Sequence, residues 1–489
     1  MKRPTGRTAK GARAAERSPD RSAQRASKRH SSPRTGTSLQ APRPARRSPD
    51  GARTDRSRTP SAPARSSTGK VTSLIVDMLA QALARVLQFE GPADAAMSRF
   101  LREHAKLGSR DRSLIAEAIF HALRRYATLG WVMQPAGPAR APRLAALITL
   151  ARQHGFDALD ERALRGDAPA VRHALAIKLG HAPASVRAEL PNWLYRAIEQ
   201  QYPDAQPLVT ALTEAAPLDL RVNLIKATRD PVLEELAGHG VGAAATRYSP
   251  EGIRLDRKPA LTQWPAYREG RIEVQDEGSQ LVARLVQPRR GEMVIDFCAG
   301  AGGKTLALGA LMRSSGRLYA FDINARRLEG LGPRLKRSGL SNVHPVVIRS
   351  ESDMRVKRLQ GKCDRVLVDA PCSGSGTLRR NPDLKWRFDE SELVRVNGVQ
   401  RSVLAAAARL LRPGGRLVYA TCSLLTLENQ QVIESFLAEH PDYRLQAAGE
   451  ILASQSIMVE HAARFAPYFV MLPHLHATDG FFAAVLERQ

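Results

Sequence analysis

"VIDFCAGAGGKTLAL", Val294 to Leu308, joins an apolar run to a glycine turn and then to a stretch rich in Ala and Leu. The turn closes in Gly-Lys-Thr, which invites comparison with a phosphate loop. That loop reads G-x-x-x-x-G-K-[ST], so that backbone N–H groups wrap the phosphates. Counting back from Gly303-Lys304-Thr305 puts its first glycine at position 298, which is Cys298. The strict pattern fails. What remains is a strand, a turn with Gly300, Gly302 and Gly303, and a helix, the nucleotide-cradling unit of a doubly wound sheet. Its glycines let backbone approach a ligand, and the helix start offers N–H donors.

The texture on either side agrees. From residue 291 the chain reads "MVIDFC", a helix, "RLYAFD", a helix, "VHPVVI", "RVLVDA", a long helix ending at "RPGG", then "RLVYATCS". Such alternation predicts a mostly parallel sheet with helices on both faces, an α/β fold. Upstream, "PLDLRVNLIKA" and "GIRLD" read as strands and "RDPVLEELAGHGV" as a helix, a small α/β unit over 206–280. Residues 71–205 are helical by periodicity. Leu74, Met78, Leu79, Leu83, Val86 and Leu87 share one apolar face; Ser109 caps a helix that carries Leu114, Ile115, Ala118, Ile119 and Leu123. Arg110, Arg112, Arg124 and Arg125 crowd that second helix.

Residues 1–70 hold 19 Lys and Arg against 4 Asp and Glu, with almost no aliphatic core formers, and are expected to be disordered. They carry +15 of the chain's net +26. The rest is basic too, so phosphate backbones are the expected partner. No apolar run reaches membrane-spanning length and the start has no apolar signal core, which together predict a cytoplasmic protein with no membrane partner. The four cysteines, at 298, 363, 372 and 422, form no C-x-x-C pair, so neither zinc nor a disulfide framework is expected.

Ligands of a doubly wound sheet bind outside the carboxyl ends of its strands. The glycine turn follows the first strand and Asp322 ends the second, where a carboxylate can accept ribose hydroxyls. A dinucleotide fold would share both features. "VDAPCSGSGT" ends the fourth strand and "YATCS" the fifth, placing Cys372 and Cys422 beside the pocket. Hydride transfer has no use for paired thiols. Methylation at carbon 5 of a pyrimidine needs one, because that carbon is a poor nucleophile until a thiolate adds at carbon 6.

With those motifs the chain resembles the RNA cytosine-5 methyltransferases of the RsmB/Sun type. The resemblance spans roughly 71–489 and is strongest in "VQDEGSQLVA", "FCAGAGGKT", "VDAPCSGSGTLRRNPDLKW", "LRPGGRLVYATCSLLTLEN" and "DGFFAA". It implies a class I, Rossmann-like methyltransferase domain over 281–489 that uses S-adenosyl-L-methionine. It also implies a NusB-like helical RNA-binding domain over 71–205, with 206–280 part of the RNA-binding module. By the same resemblance Cys422 is the nucleophile, Cys372 assists product release, Asp369 faces base and cofactor, and Lys304 lies near the base. Cys298, Ala299, Gly300, Ala301, Gly302, Gly303 and Lys304 line the cofactor site, with Asp322 and Asp369. The family loop usually reads C-A-A-P-G-G-K; here Gly300 and Ala301 replace Ala-Pro. The acid often found after the third strand is not fixed by sequence, with Ser350, Glu351 and Asp353 all near. Arg379, Arg380, Lys385 and Trp386 could grip phosphate and stack a base.

The expected activity is methylation of cytosine carbon 5 in small-subunit ribosomal RNA by a monomer, with no metal. A transfer RNA substrate, a DNA-modifying enzyme and a non-catalytic ribosome-assembly factor are the competing readings.

Overall fold

A computed structural model describes residues 70–489. The basic segment 1–70 lies outside the described residues but for its last position. Among the described residues no helix is long and apolar enough to cross a membrane.

The chain first runs through helices, from Ser73–Val86 to Ala205–Thr213. A small antiparallel sheet follows, with β1 (Leu218–Val222), β2 (Ala243–Ala245), β3 (Gly252–Leu255) and β4 (Ile272–Val274) in the order β2-β3-β1-β4. The helix Arg229–Gly238 packs Val232 and Leu236 onto Leu220, Val222, Ile253 and Ile272. β1, β3 and this helix fall on "PLDLRVNLIKA", "GIRLD" and "RDPVLEELAGHGV", whereas the sequence reading marks neither β2 nor β4 as a strand.

The large sheet holds β5 (Met293–Asp296), β6 (Arg317–Asp322), β7 (Val343–Val347), β8 (Cys363–Asp369), β9 (Leu411–Thr421), β10 (Tyr443–Gln446), β11 (Phe469–Met471) and β12 (Phe481–Arg488). Its order is β10-β12-β9-β8-β5-β6-β7, with β11 also on β12. The strands β5 to β9 are mutually parallel; β12 alone runs against them, pairing antiparallel with β9, β10 and β11. The chain leaves β5 outward through β6 and β7, then returns to β8 on the other side of β5. That reversal makes the crevice at the β5/β8 carboxyl ends the switch point where ligands bind.

Side-chain alternation explains the two helical layers. Ile295, Val366 and Val368 enter one apolar cluster, whereas Val294 and Leu367 enter another on the opposite face. The middle strand β8 is therefore apolar on both faces at Val366, Leu367 and Val368. Pro345 sits on the edge strand β7, where a missing N–H does least harm.

Four sequence expectations need correction. The helical region does not pack as one block to residue 205. Its own core runs from Val71 to Ala174, while Ala188, Leu190, Leu194, Ile198, Leu208 and Leu212 join the catalytic core. Helical periodicity shows that a helix has an apolar face but not which neighbour covers it. "RPGG" does not end the long helix: that helix spans Glu390–Ala408, and Arg412 to Gly415 already belong to β9. Ser109 is the first helical residue, not a side-chain cap, and Leu74 is 57% exposed instead of facing the core.

Candidate active site

Four strand ends deliver the groups that line one pocket of about 660 Å³. After β5 the backbone turns through Cys298 to Gly302, with positive φ at Gly300 (55°) and Gly302 (83°). A Cβ on Gly302 would come within 2.2 Å of Leu331, so this position needs both the freedom and the small size of glycine. The helix Gly303–Leu311 begins at once and turns its first N–H groups toward the crevice.

Asp322 closes β6. Its Oδ2 accepts the Gly300 N–H and its Oδ1 the Asn324 N–H, both at 2.7 Å. Each oxygen can accept once more. Ile323 beside it is 68% exposed, although apolar, and also lines the pocket. Of Ser350, Glu351 and Asp353 after β7, only Glu351 is among the pocket-lining residues. It accepts the Ser402 hydroxyl at 2.6 Å. Asp353 is occupied with Arg355 and with the backbone N–H groups of Arg349 and Arg355. Ser350 Oγ accepts the Ser352 N–H.

At the end of β8, Asp369 Oδ2 accepts from Lys304 Nζ at 2.9 Å. Burial pulls the Lys304 ammonium down, but the charge and hydrogen bond of Asp369 outweigh it, and the net shift is upward. The lysine therefore stays charged. Beneath it Asp296 is fully buried, and desolvation pushes its carboxyl up to about 7. Its Oδ2 accepts the Thr305 hydroxyl at 2.6 Å.

Cys372 follows β8 by three residues and Cys422 follows β9 by one. These strands are parallel neighbours with Asp369 opposite Ala420, so the two loops emerge side by side. Their sulfurs lie 3.4 Å apart. The hydrogen bond to Cys422 and then burial hold the Cys372 thiol well above its ordinary range. The Gly376 N–H donates to the Cys422 carbonyl at 2.9 Å, and the Gly480 N–H to the Gly376 carbonyl at 2.8 Å. A Cβ on Gly376 would meet the Gly480 carbonyl oxygen at 2.4 Å, which explains glycine at that close crossing. The structure thus brings together the sequence-proposed residues Cys298, Ala299, Gly300, Ala301, Gly303, Lys304, Asp322, Asp369, Cys372 and Cys422 around one cavity.

The arginine segment is a correction. Arg379 and Arg380 do not face outward for phosphate: both are ion-paired to buried Asp479, and Arg380 also to Asp276. Lys385 is buried and donates to the Arg124 carbonyl at 3.2 Å. Trp386 donates to the Leu123 carbonyl at 3.4 Å and packs on Tyr126 with ring centres 5.1 Å apart. A low-dielectric junction demands partners for charged and hydrogen-bonding groups, and these three cations and one indole found theirs inside the protein. The sequence reading also passed over Phe481, whose ring lies 5.4 Å from Lys304 Nζ, and Glu428, buried behind both cysteines. The "DGFF" and "TLEN" stretches carry them but suggest no role by residue type.

Comparison with known proteins agrees with this arrangement. Residues 283–487 match the family model of the 16S rRNA methyltransferase RsmB/F, and residues 190–262 match the RsmF/B-like ferredoxin-like domain. A probable ribosomal RNA small subunit methyltransferase B from Synechocystis sp. is 32% identical over 81% of this chain and 95% of its own length. Ribosomal RNA small subunit methyltransferase B from Vibrio cholerae is 31% identical over 76% of this chain and 78% of its own. The crystal structure of PH0851 superposes with a TM-score of 0.73 at 25% identity, covering 86% of this chain and 99% of that one. With its glycine loop, paired strand-end thiols and ferredoxin-like unit all falling within these matches, the chain belongs to the 16S rRNA methyltransferase RsmB/F family.

Proposed function

We propose that this protein transfers a methyl group from S-adenosyl-L-methionine to carbon 5 of a cytosine in small-subunit ribosomal RNA, through a covalent bond between Cys422 and the base. The observation that carries this reading is the pair of thiols 3.4 Å apart at adjacent strand ends, opening on the pocket that holds Lys304 and Asp369. The curated relatives' names, all ribosomal RNA small subunit methyltransferase B, support the substrate class.

The residues present fit the cofactor. The Asp322 carboxylate has accepting capacity left for two ribose hydroxyls, exposed Ile323 offers an apolar face for the adenine, and Glu351 lies near for its amino group. When bound, the cofactor supplies an electrophilic methyl group. The protein's own residues supply the rest. The Cys422 thiolate adds to carbon 6, which places electron density on carbon 5. After methyl transfer the carbon 5 proton passes to solvent, its bonding pair re-forms the carbon 5–carbon 6 double bond, the sulfur–carbon bond breaks, and Cys422 regains its electron pair. Asp369, held by Lys304, hydrogen-bonds the base edge as its charge changes. Cys372, kept in its thiol form, has a proton available beside the departing sulfur and assists release.

With Arg379, Arg380, Lys385 and Trp386 engaged internally, RNA contact falls to other basic groups. Arg112 donates to the carbonyls of Leu101, His104 and Leu107, and Arg124 to that of Arg379. Of the helical region's arginine cluster, Arg110 remains exposed for phosphate, and Arg125 is exposed but lies 3.9 Å from the Glu189 carboxylate. The test uses small-subunit ribosomal RNA from a strain lacking this gene, incubated with the protein and methyl-labelled cofactor. Nucleoside digestion and mass spectrometry should give labelled 5-methylcytidine. Label on any other nucleoside, or none, overturns the proposal.

A further inference from the structure

Behind the two thiols lies an acid to which the reaction gives no part. Glu428, six residues past Cys422, is fully buried. A carboxylate shut away from water needs donors in place of its hydration. Glu428 has four. Its Oε1 accepts the Ser373 N–H at 2.8 Å and Gln400 Nε2 at 3.0 Å. Its Oε2 accepts the Ser373 hydroxyl at 2.5 Å and the Ser423 hydroxyl. Ser373 is the neighbour of Cys372, and Ser423 is the neighbour of Cys422. The Gln400 amide also donates to the Pro371 carbonyl at 2.8 Å, on the other side of Cys372. One carboxylate therefore grips both cysteine loops.

Its charge matters as well as its bonds. The Cys372 thiol is raised by the Cys422 hydrogen bond, by burial and by the Cys422 charge, and the field of Glu428 adds to these. The two sulfurs are alike in chemistry and nearly in contact, so something must decide which one adds to the base. Glu428 accepts two bonds from Ser373, beside Cys372, and one from Ser423, beside Cys422, so its carboxylate weighs more on the Cys372 side.

We propose that Glu428 is a positioning residue: its carboxylate ties the Cys372 loop to the Cys422 loop and biases the proton onto Cys372, which leaves Cys422 as the thiol that adds. This rests on the two-thiol reading above. Glu428 acts through the cysteines and touches no reacting atom.

The test reads the thiols directly, with no RNA or cofactor. Full-length protein is treated with iodoacetamide at pH 8, and peptide mass mapping follows Cys372 and Cys422 separately. Only thiolates alkylate at a useful rate. In the wild type Cys422 should react ahead of Cys372. Glu428→Gln keeps the volume and removes the charge. It should raise the Cys372 rate about tenfold relative to Cys422 and move its pH profile to lower pH. In turnover the same variant should lose kcat with little change in KM for RNA. A rate ratio within about twofold of wild type overturns the proposal, since losing a nearby charge must change thiolate fraction. Ser423→Ala removes one donor to the same carboxylate and is the milder variant should Glu428→Gln fail to fold. It should shift the ratio at least about threefold, and an unchanged ratio counts against the proposal equally. The two readings fail separately. A shifted ratio without 5-methylcytidine removes the reaction and leaves the positioning role, whereas 5-methylcytidine with an unmoved ratio removes Glu428 alone.

Discussion

Asp369 to Gly376 and Leu378 to Arg387 are separated by one residue, and the sequence assigns both to the substrate, the first to catalysis and the second to RNA contact. They end up in opposite situations. The first stretch bends over the pocket, with Asp369 on Lys304 and Cys372 against Cys422. The second turns away: Arg379 and Arg380 bind Asp479 and Asp276, while Lys385 and Trp386 fasten the helical region to the catalytic one through the carbonyls of Arg124 and Leu123. The difference is distance from a strand end. Groups within three residues of a parallel strand's carboxyl end are delivered to the crevice by backbone geometry. Groups ten residues on go wherever a partner offsets their desolvation, and here the partner is the protein itself.

The comparison breaks most sharply at Cys422. Cys422→Ala should lower methyl transfer by at least about 10,000-fold, as loss of a covalent nucleophile does elsewhere, while cofactor affinity changes little. Radiolabel transfer to RNA and calorimetric titration with S-adenosylmethionine check the two halves. Turnover near wild type would mean that the strand-end rule placed a thiol with no chemistry.

On the other side of the comparison the largest effect should be structural. Asp479 is buried between Arg379 and Arg380, and burial followed by the Asp276 charge pushes its carboxyl up while the arginines pull it back. Asp479→Ala leaves two guanidinium groups short of their partner in a low-dielectric junction. Removing one member of such a pair typically costs about 3–5 kcal/mol. Thermal unfolding should report that loss, and binding of RNA to the folded protein should not weaken at low salt. If RNA affinity falls while melting temperature holds, Arg379 and Arg380 serve the substrate after all.

Cys372→Ala sharpens the first half. Without the second thiol the methylated intermediate should leave Cys422 slowly, cutting turnover by roughly 10- to 100-fold, the usual share of a general acid–base group. A denaturing gel should then show a protein–RNA band that depends on both RNA and cofactor. Normal turnover with no such band would make Cys372 a packing residue.

These contrasts also mark how far the sequence could be read. The sheet, the glycine turn and the pocket residues were legible because each is tied to a local pattern: apolar strand, glycine turn, acid or thiol at the strand end. Cys372 and Cys422 could be paired across 50 residues because the parallel alternation predicts neighbouring strand ends. Glu428 was not legible, since its role arises from two serines that meet only in the fold. The same holds for Arg379 and Arg380, whose partner Asp479 lies about a hundred residues away. Helix faces were legible at Ile115 and Leu123 but not at Leu194 and Leu208, where the covering surface belongs to another region. Residue type and periodicity carry local information, and buried polar partnership is a long-range property.

The smallest effect tests the fastened half through pH. Lys385 is buried among Glu189, Arg124 and Arg125, and desolvation lowers it to about 7 in spite of the Glu189 charge. Its ordinary value is 10.5. Below pH 7 both folded and unfolded chains hold the proton, and the full cost of a buried ammonium weighs on the fold. Between about 7 and 10.5 the folded chain releases it first, so this residue's penalty shrinks as pH rises. Lys385→Met keeps the length and removes the proton. It should be more stable than wild type at pH 7 by about 1–3 kcal/mol, with the gap closing toward pH 10. Differences in melting temperature between the two proteins across that range cancel the titrations they share. Should Lys385→Met be the less stable at pH 7, with the gap narrowing at higher pH, Lys385 and Glu189 form an ionised pair that holds the junction shut. The engaged side of the comparison would then be an electrostatic latch rather than a packed seam.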